Sequence, residues 1–401
     1  LVSVLSLSAY GQRTCGTDKK MAEFFVANPE VAANRTALKD FLVNNKSQLN
    51  RKAGVITIPV VVHVLYSNAT MNISDAQIAS QMKVLNDDFR KLNADFSTAV
   101  PTVFQGVAAD MELAFCLATK KPDGSSTNGI ERKSVASNFN FNNNYYKSSG
   151  LPSWDTTKYL NIWVGNMTTY LGWAYLPDNA GGSDDGLAIG YKYFGTTGTV
   201  VSPYNKGRTA THEIGHYFGL NHIWGDEENS CGTSLGDDGC ADTPATKEPY
   251  FGTPTFPTNT YACTTSANGS MFMNYMDYVD DVAMAMFTND QKTITQNTMA
   301  GPRASLLNSN ACSSTLGVDD VEKSNSINVF PNPAVNYISI ASPLVKINEV
   351  EIFGNDGRLV KRANIKNETD KIDVKSLPVG TYFVRTYDNG NFIKSMKFIK
   401  Q

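Results

Sequence analysis

Three of the four histidines in this 401-residue chain fall in one short run, His212-Glu213-Ile-Gly-His216-Tyr-Phe-Gly219-Leu-Asn-His222. On a helix, His212 and His216 lie one turn apart on the same face, so both imidazoles can bind one ion. Gly219 can adopt the positive φ that ends a helix, and the chain reversal there lets His222 supply a third nitrogen. Structural zinc sites are closed by a fourth protein ligand, whereas catalytic sites keep that position open. The spacing therefore predicts a catalytic Zn²⁺ centre.

Glu213 lies beside the first histidine and supplies the remaining chemistry. Zinc lowers the pKa of its bound water toward about 7, and Glu213 can accept that proton and deliver it to a leaving amine. Two other functions are compatible with these residues: a surface binding module that keeps zinc only for structure, and a zinc hydrolase acting on a non-peptide amide. The fourth histidine, His63, lies in an apolar strand, which favours a core or supporting role over metal binding.

Composition limits the class of protein. Hydrophobic residues make up 41% of the chain, charged residues 18%, and the formal net charge is −3, which is typical of a globular protein of two or three domains. No Lys/Arg run is longer than a pair, so nothing predicts binding to nucleic acid. The longest apolar stretch, residues 55–66, is shorter than the ~20 residues that a transmembrane helix needs. We therefore expect neither nucleic acid nor membrane span.

The first part of the chain has the pattern of an exported precursor. Residues 1–11 are predicted to be the remnant of a secretory signal peptide, although a disordered chain end is an alternative. Residues 12–52 form a predicted pro-segment that is helical over residues 19–50. It ends at the basic pair Arg51 and Lys52, just before the apolar strand at 55–66. This pair is a candidate cleavage site, and an ordinary loop fits the spacing equally well.

The next part, residues 53–305, is predicted to be an α+β catalytic domain. Residues 74–92 form its clearest helix: Ser74 and Gln77 make a capping box, and apolar residues from Ile78 to Leu92 form one stripe. Strands are predicted at 159–164 and 187–193. Residues 306–326 are predicted to be a linker. Residues 327–401 read as short alternating strands separated by turns, which predicts an all-β, Ig-like sandwich.

Two segments resemble the pappalysin family of the metzincin zinc peptidases: the run at 207–222 and the later run Ser-Met-Phe-Met-Asn-Tyr-Met276-Asp-Tyr278-Val-Asp-Asp at 270–281. The resemblance implies a twisted mixed sheet, an active-site helix and an irregular C-terminal subdomain. It also implies a methionine turn at Met276 and a Tyr278 that stabilises the oxyanion. From residue type alone, Met276 is equally compatible with the core and Tyr278 with the surface. The strand around 172–175 is then expected to pair with extended substrate, unless it is an ordinary buried strand.

The resemblance extends to latency and specificity. The run Arg13-Thr-Cys15-Gly16 is similar to the cysteine switch of latent metzincins, in which Cys15 fills the fourth zinc position until cleavage near Arg51 and Lys52. An unpaired or intermolecularly bridged Cys15 is the alternative. Bacterial members of the family imply cleavage beside Arg or Lys, and the neighbouring residues Asp280 and Asp281 are candidates to line an acidic pocket.

Acidic residues and cysteines follow the histidine run. Asp238 and Asp242 offer hard oxygen ligands, and related enzymes carry structural calcium near this position, so we expect Ca²⁺ there unless the segment is a solvated acidic loop. At least one disulfide is expected among Cys231, Cys240 and Cys263. The sequence leaves the pairing open.

The C-terminal segment has its own resemblance. Residues 318–401, with Phe-Pro-Asn-Pro at 330–333 and Gly-Thr-Tyr-Phe at 380–383, resemble the C-terminal sorting domain of the type IX secretion system of Bacteroidetes-type bacteria. A carbohydrate-binding or generic Ig-like domain is the alternative. The resemblance implies the secretion machinery as a partner, passage through the periplasm, and a secreted or outer-surface location. The whole sequence predicts a zinc endopeptidase zymogen that acts on proteins and peptides.

Overall fold

The computed structural model describes residues 13–45, 54–225, 231, 238–312, 327–342, 346–355, 358–367, 370–388 and 391–401. The chain divides into two compact units, Leu1–Ser314 and Thr315–Gln401. The predicted signal remnant, the candidate cleavage residues Arg51 and Lys52, and most of the predicted linker lie outside the described residues. Their assignments stay predictions.

Helices of the first unit precede and flank its sheet. They are α1 (Thr17–Ala27), α2 (Pro29–Asn44), α3 (Asp75–Phe89), α4 (Phe96–Ala99), α5 (Thr102–Gln105), α6 (Phe141–Asn144), α7 (Arg208–Tyr217) and α8 (Asn289–Ala300). The single helical segment predicted at 19–50 is wrong in its continuity, because Pro29 lacks a backbone N–H and disfavours helical backbone in the residue before it. Asn28, with a φ of −132°, separates α1 from α2.

A mixed sheet is the centre of the first unit. Its strands are β1 (Ile56–Tyr66), β2 (Leu113–Leu117), β3 (Ile130–Ser134), β4 (Leu160–Gly165), β5 (Gly172–Ala174) and β6 (Leu187–Gly190). β1 pairs in parallel with β2 along its first half, with β3 along its second half, and with β4 on its other side. β6 follows β4 in parallel, and β5 pairs antiparallel with β6 at the edge. Since both faces are covered, β1 reads as a continuous apolar run rather than an alternating one.

Helix α3 shows where local pattern and tertiary packing compete. Four members of its predicted stripe are buried, but Leu92 lies beyond the helix end and is 67% exposed. The Ser74 side chain accepts a hydrogen bond from the Gln77 backbone N–H at 3.1 Å. The Gln77 amide instead donates to the carbonyls of Tyr191 and Phe194. The predicted capping box is therefore wrong in its second half, because a loop carbonyl pair competes for the glutamine.

His63 is a core residue of β1 and lies apart from the histidine run. Its Nδ1 is 3.0 Å from a Glu131 carboxylate oxygen, and its Nε2 is 2.9 Å from the Asn161 side-chain oxygen. The imidazole stacks on Trp163. Both ring nitrogens are thus used inside the sheet, which supports the core interpretation.

The second unit is all β. Its strands are β9 (Asn328–Phe330), β10 (Tyr337–Ala341), β11 (Glu349–Phe353), β12 (Leu359–Asn364), β13 (Ile372–Asp373), β14 (Gly380–Asp388) and β15 (Asn391–Lys400). The numbers β7 (Phe251–Gly252) and β8 (Tyr278–Val279) belong to two short strands of the first unit. The strands of the second unit form two antiparallel sheets, β13-β10-β9 and β12-β11-β14-β15. Along β14, Tyr382, Val384 and Thr386 are buried and their neighbours are not, as alternation predicts. The predicted fold class, α+β with an all-β C-terminal part, is confirmed.

The end of the first unit is fixed by a disulfide. Cys312 is bonded to Cys116 of β2, and Leu306 and Ala311 are buried. The structured segment therefore continues to Cys312, beyond the predicted linker start at 306. A second disulfide joins Cys231 and Cys263, which decides the pairing that the sequence left open. Cys240 is buried and belongs to neither bridge.

Removal of the Cys116–Cys312 disulfide is expected to destabilise the first unit. The bond closes a loop of 196 residues, so a Cys116→Ser/Cys312→Ser variant should lose about 2–5 kcal/mol of unfolding free energy through the larger entropy of its unfolded chain. The measurement is the urea midpoint by tryptophan fluorescence. Adding reductant to the double variant is the control, since it reports the other disulfide alone. Equal midpoints for the oxidised parent and the variant would contradict the prediction.

Candidate active site

Helix α7 carries the histidine run, and every one of its residues is buried. Its first residue, Arg208, donates to the carboxylates of Asp88 at 3.2 Å and Asp95 at 2.9 Å. The Thr211 hydroxyl donates to the other oxygen of Asp88 at 2.7 Å. These contacts join the beginning of α7 to the end of α3. The helix is thus fixed along its axis at its first turn.

A second buried arginine holds the other end of α7. The Arg303 guanidinium pairs with both carboxylate oxygens of Asp185 and lies 3.4 Å over the Tyr217 ring. Its Nε donates to the Tyr217 carbonyl at 2.8 Å, and another nitrogen donates to the Tyr175 carbonyl. The Thr298 hydroxyl donates to the next helical carbonyl, that of Phe218, at 2.7 Å. Side chains thereby satisfy carbonyls that a helix end leaves without intrahelical partners.

Three imidazoles converge beside α7. The Nε2 atoms of His212 and His216 are 3.2 Å apart, and those of His216 and His222 are 3.1 Å apart. Gly219, with a φ of 92°, makes the turn that returns the chain to His222. Two nitrogens bound to one tetrahedral Zn²⁺ at about 2.1 Å are about 3.4 Å apart. The three nitrogens therefore fit a zinc ion.

Backbone carbonyls set the imidazole tautomers. His212 Nδ1 is 2.7 Å from the Tyr275 carbonyl, and His216 Nδ1 is 2.8 Å from the Leu220 carbonyl. Each Nδ1 must donate, which leaves each Nε2 with a lone pair for an ion. Burial lowers the pKa of His216 to about 3 and that of His212 well below its usual value, so both rings are neutral. This is the protonation state that metal binding requires.

Cys15 completes the cluster. Its Sγ and one nitrogen from each histidine all lie within 4.8 Å of one another, the one such group among the described residues. The third histidine, His222, stacks on Trp224 with ring centroids 4.4 Å apart. Its Nδ1 is 3.4 Å from the Asp18 carboxylate. Two residues of the predicted pro-segment thus contact the histidine cluster.

Glu213 is buried beneath the same segment. One carboxylate oxygen accepts from the Thr17 hydroxyl at 3.1 Å and from the Cys15 thiol at 3.4 Å. The other oxygen has no hydrogen-bond partner. Burial raises the pKa of Glu213 to about 8, although the hydrogen bonds from Cys15 and Thr17 act in the opposite direction. In this covered state the carboxyl group therefore keeps its proton more readily than an exposed glutamic acid does.

The two residues suggested by the later segment lie on either side of the cluster. Met276 is fully buried under α7, where a Cβ at Gly215 would overlap its sulfur. Tyr278 packs against the histidines, with its ring 4.9 Å from His222 and 4.7 Å from Trp224. Burial raises the pKa of the Tyr278 phenol well above its usual value. The phenol is thus a neutral O–H donor beside the histidines.

The pro-segment also extends the sheet at its edge. The Gly16 N–H donates to the Gly172 carbonyl at 2.8 Å, and the Leu171 N–H donates to the Thr14 carbonyl at 2.9 Å. Cys15 pairs in parallel with Gly172 in this arrangement. β5 therefore accepts an added strand directly above Glu213, which is the pairing surface predicted for the strand around 172–175.

Arg13 fills a polar pocket next to the cleft. Its guanidinium, 2% exposed, forms an ion pair with Asp281, donates to the Val279 carbonyl at 3.1 Å and lies 4.8 Å over the Tyr204 ring. We call this the Arg13 pocket. The adjacent Asp280 is partly exposed and contacts Thr253 instead. Of the two acidic candidates, Asp281 is the one that lines the pocket.

The calcium candidates lie beyond the histidine run. Both oxygens of Asp238 accept from the Thr243 hydroxyl, at 2.8 and 2.9 Å. Asp242 accepts from the Asp290 N–H at 3.0 Å through one oxygen, while its other oxygen is buried and has no hydrogen-bond partner. Nothing else in the described part of the chain gathers around them as a cation site, so Ca²⁺ stays a prediction.

Comparison with known proteins agrees with this geometry. Residues 143–300 match the M43 peptidase family model, described as pregnancy-associated plasma protein-A, and residues 328–401 match the secretion system C-terminal sorting domain. Mature mirolysin of Tannerella forsythia in complex with a cleaved peptide is 44% identical, with a TM-score of 0.60 over 64% of this chain and 97% of that chain. A promirolysin mutant from the same organism is 40% identical, with a TM-score of 0.66 over 74% and 97%. This chain belongs to the pappalysin family, the M43 metallopeptidases.

Further relatives of this pappalysin are extracellular metalloproteases. That of Uncinocarpus reesii is 28% identical and covers 70% of this chain and 86% of its own length. One from Colletotrichum graminicola is 27% identical and covers 76% and 97%. The protein is accordingly a zinc metallopeptidase with a secretion sorting domain, destined for secretion or the cell surface. Family membership favours the peptidase over a binding module. Among the described residues, no helix is long and apolar enough to cross a bilayer.

Several residues of this site were not identified from the sequence. Arg13 was noted only as part of the cysteine motif, although its place two residues before Cys15 was a usable signal. Trp224, two residues after His222, offered a similar local signal. Thr17 and Asp18 offered weaker ones, as polar residues just after the cysteine. Arg303 offered none, because its partners are distant in sequence.

The Arg303–Asp185 pair is expected to be far more important for stability than an exposed pair. Arg303→Met leaves the buried Asp185 carboxylate without its partner, so we expect a loss of about 3–5 kcal/mol in unfolding free energy. Arg90→Met is the matched control: its pair with Asp110 is partly exposed and should contribute less than about 1 kcal/mol. Chemical unfolding of both variants measures the difference. Similar losses for the two would contradict the assignment.

Proposed function

We propose that this pappalysin is an endopeptidase made as a latent zymogen, with Zn²⁺ held by His212, His216 and His222. The single observation that carries the proposal is the convergence of the three imidazoles beside the Glu213 carboxyl group, with Nε2 of His216 3.2 Å from that of His212 and 3.1 Å from that of His222. The neutral, oriented imidazoles of His212 and His216, the third imidazole of His222 and one remaining position, facing Cys15, suit a catalytic zinc ion. Peptides and proteins are the substrates.

Glu213 is the proposed general base and acid. When bound, zinc lowers the pKa of an attacking water and polarises the scissile carbonyl. Glu213 accepts the proton of that water on its free oxygen and then donates it to the leaving amine.

Tyr278, Met276 and β5 have supporting roles in the proposal. The Tyr278 phenol donates a hydrogen bond to the oxyanion that forms on the scissile carbonyl, a contact that is stronger in the transition state than in the substrate. Met276 supports α7 from below at Gly215. The free backbone groups of Leu171 and Gly172 pair with extended substrate once residues 14–16 have left.

Latency is proposed to come from residues 13–17, which we call the switch segment. Cys15 supplies a fourth ligand to the ion, since zinc stabilises a thiolate. Thr17 and Cys15 occupy one oxygen of Glu213 and cover the carboxyl group that an attacking water would have to reach. The same segment covers β5, so substrate pairing and proton transfer are blocked together. Cleavage at Arg51 and Lys52 is the proposed first step of activation.

The Arg13 pocket supports a preference for Arg or Lys beside the cleaved bond. A guanidinium there pairs with Asp281 and lies against Tyr204. When the switch segment leaves, this acidic pocket next to the zinc site becomes available to a basic substrate side chain. The proposal also includes export through the periplasm. It includes, in addition, structural Ca²⁺ bound at Asp238 and Asp242.

The first test replaces the proposed base. In the processed enzyme, Glu213→Ala should lower kcat/KM on a quenched fluorescent peptide by about a hundredfold to ten-thousandfold, because proton transfer is lost. Zinc content, measured by mass spectrometry, should stay at the parent level. Glu112→Ala, at a partly exposed carboxylate remote from the histidines, is the control. Unchanged activity of Glu213→Ala would refute the assignment.

The second test concerns specificity. Asp281→Asn keeps an acceptor for the Lys206 N–H but removes the charge, so kcat/KM for peptides with Arg at the cleavage site should fall about a hundredfold. Peptides with norleucine there should change little. Asp280→Asn provides the matched control and should leave both rates within a few-fold. If the Asp281→Asn variant kept the preference for Arg, the assignment of this pocket to substrate binding would be wrong.

A further inference from the structure

The second pro-segment helix, α2, has a fitted receptor surface on the catalytic part of the chain. Three consecutive side chains near its end each lie where a glycine leaves room. An added Cβ would come within 3.1 Å of Leu42 at Gly219, 2.7 Å of Phe41 at Gly301, and 2.7 Å of Val43 at Gly239. We call the surface formed by these three glycines, with Pro177 and Ile294, the α2 face.

Polar contacts set the position of α2 on this face. The Asn297 side chain donates to the Leu42 carbonyl at 2.7 Å, close to the end of α2, where carbonyls lack intrahelical partners. Nearer its beginning, Arg35 forms an ion pair with Asp178 at 3.2 Å. Leu42 itself is only 5% exposed and belongs to the main apolar core. Leu42 is therefore the buried centre of the contact, with Phe41 and Val43 partly buried on either side of it.

The α2 face is distinct from the cleft that the switch segment occupies. Helix α2 has 16 residues and is about 24 Å long, with α1 between it and the switch segment. α1 adds a smaller contact, in which Met21 packs on Tyr175 and Leu176. The pro-segment is thus bound at both ends, and either end raises the effective concentration of the other.

We propose that the α2 face binds the pro-segment independently of the zinc cleft, so that cutting the chain between residues 46 and 53 yields a nicked complex that is still latent. This inference rests on the proposed latency and adds a second, non-covalent step to it. The pro-segment becomes a tightly bound peptide partner after the cut. Activity appears only when α2 is displaced or cut away from the switch segment.

The affinity of the cut pro-segment for the rest of the chain follows from its two binding sites, the cleft and the α2 face. Release of Cys15 and Arg13 from the cleft does not free the pro-segment while Phe41, Leu42 and Val43 stay in their sites, so the switch segment rebinds before it diffuses away. A cut pro-segment that was bound only in the cleft would have to compete directly with substrate for that site. The α2 face thereby separates chain cleavage from activation.

The test uses the full chain with a recognition site for a foreign, site-specific protease placed within residues 46–51. Glu213→Gln prevents self-digestion while retaining an acceptor for Thr17. After complete cutting, the pro-segment is expected to elute with the remainder on gel filtration at micromolar concentration. With Phe41→Ala/Leu42→Ala it should dissociate at least about a hundredfold faster and separate, because two filled sites become cavities. Arg35→Ala, a milder change, should speed dissociation several-fold.

Controls distinguish the two contact regions. Val26→Ala removes an apolar side chain that is 85% exposed on α1 and should leave the dissociation rate unchanged. Cys15→Ala weakens only the cleft contact, so the pro-segment should still co-elute. Immediate loss of the pro-segment from the cut parent chain, or equal loss from Cys15→Ala and from Phe41→Ala/Leu42→Ala, overturns the inference. The proposed role of Cys15 in latency fails separately, if uncut Cys15→Ala with an intact Glu213 is as inactive as the uncut parent.

Discussion

The structure depends on one constraint: the imidazoles of His212, His216 and His222 must converge inside the protein, with Nε2 of His216 3.2 Å from that of His212 and 3.1 Å from that of His222. Helical geometry supplies the first two, and the turn at Gly219 supplies the third. Water would compete for these nitrogens, so the site must be buried. Burial in turn requires that each remaining Nδ1–H has an acceptor, and backbone carbonyls of Tyr275 and Leu220 meet that need. The carbonyls belong to turns, which explains why irregular backbone surrounds the metal centre.

The turns can place their carbonyls accurately against the imidazoles only because α7 is fixed at both ends. Arg208 joins its beginning to α3, and Arg303 joins its end to the Asp185 loop and to the Tyr175 carbonyl just past β5. Buried ion pairs contribute little net stability compared with apolar packing, but breaking one is costly. The ion pairs of Arg208 and Arg303 therefore specify one position of α7 relative to the sheet edge. The proposed proton transfer from Glu213 to a peptide paired with β5 would need that fixed relation.

Local patterns predicted what local geometry controls. The histidine spacing placed the candidate ligands, and periodicity placed α3 and the alternating strands of the sorting domain. Contacts between distant residues were not predictable from one sequence: Arg13 meets Asp281 across 268 residues, and Cys116 meets Cys312 across 196. No local pattern in one sequence connects residues so far apart, because they come into contact only once the sheet has formed. The capping box at Ser74 was half wrong for the same reason, because a distant loop competes for Gln77.

The proposed latency and specificity share one pocket, which imposes a conflict. Asp281 pairs with Arg13 in the latent chain, and in the proposal it binds a basic substrate side chain in the active one. A pocket that held Arg13 more tightly would also hold products more tightly, and turnover would slow. Affinity for the pro-segment must therefore come from contacts that substrates never make. The α2 face meets this requirement, since Phe41 and Leu42 pack against Gly301 and Gly219 and do not enter the cleft. Tight inhibition and fast turnover are thereby compatible in one chain.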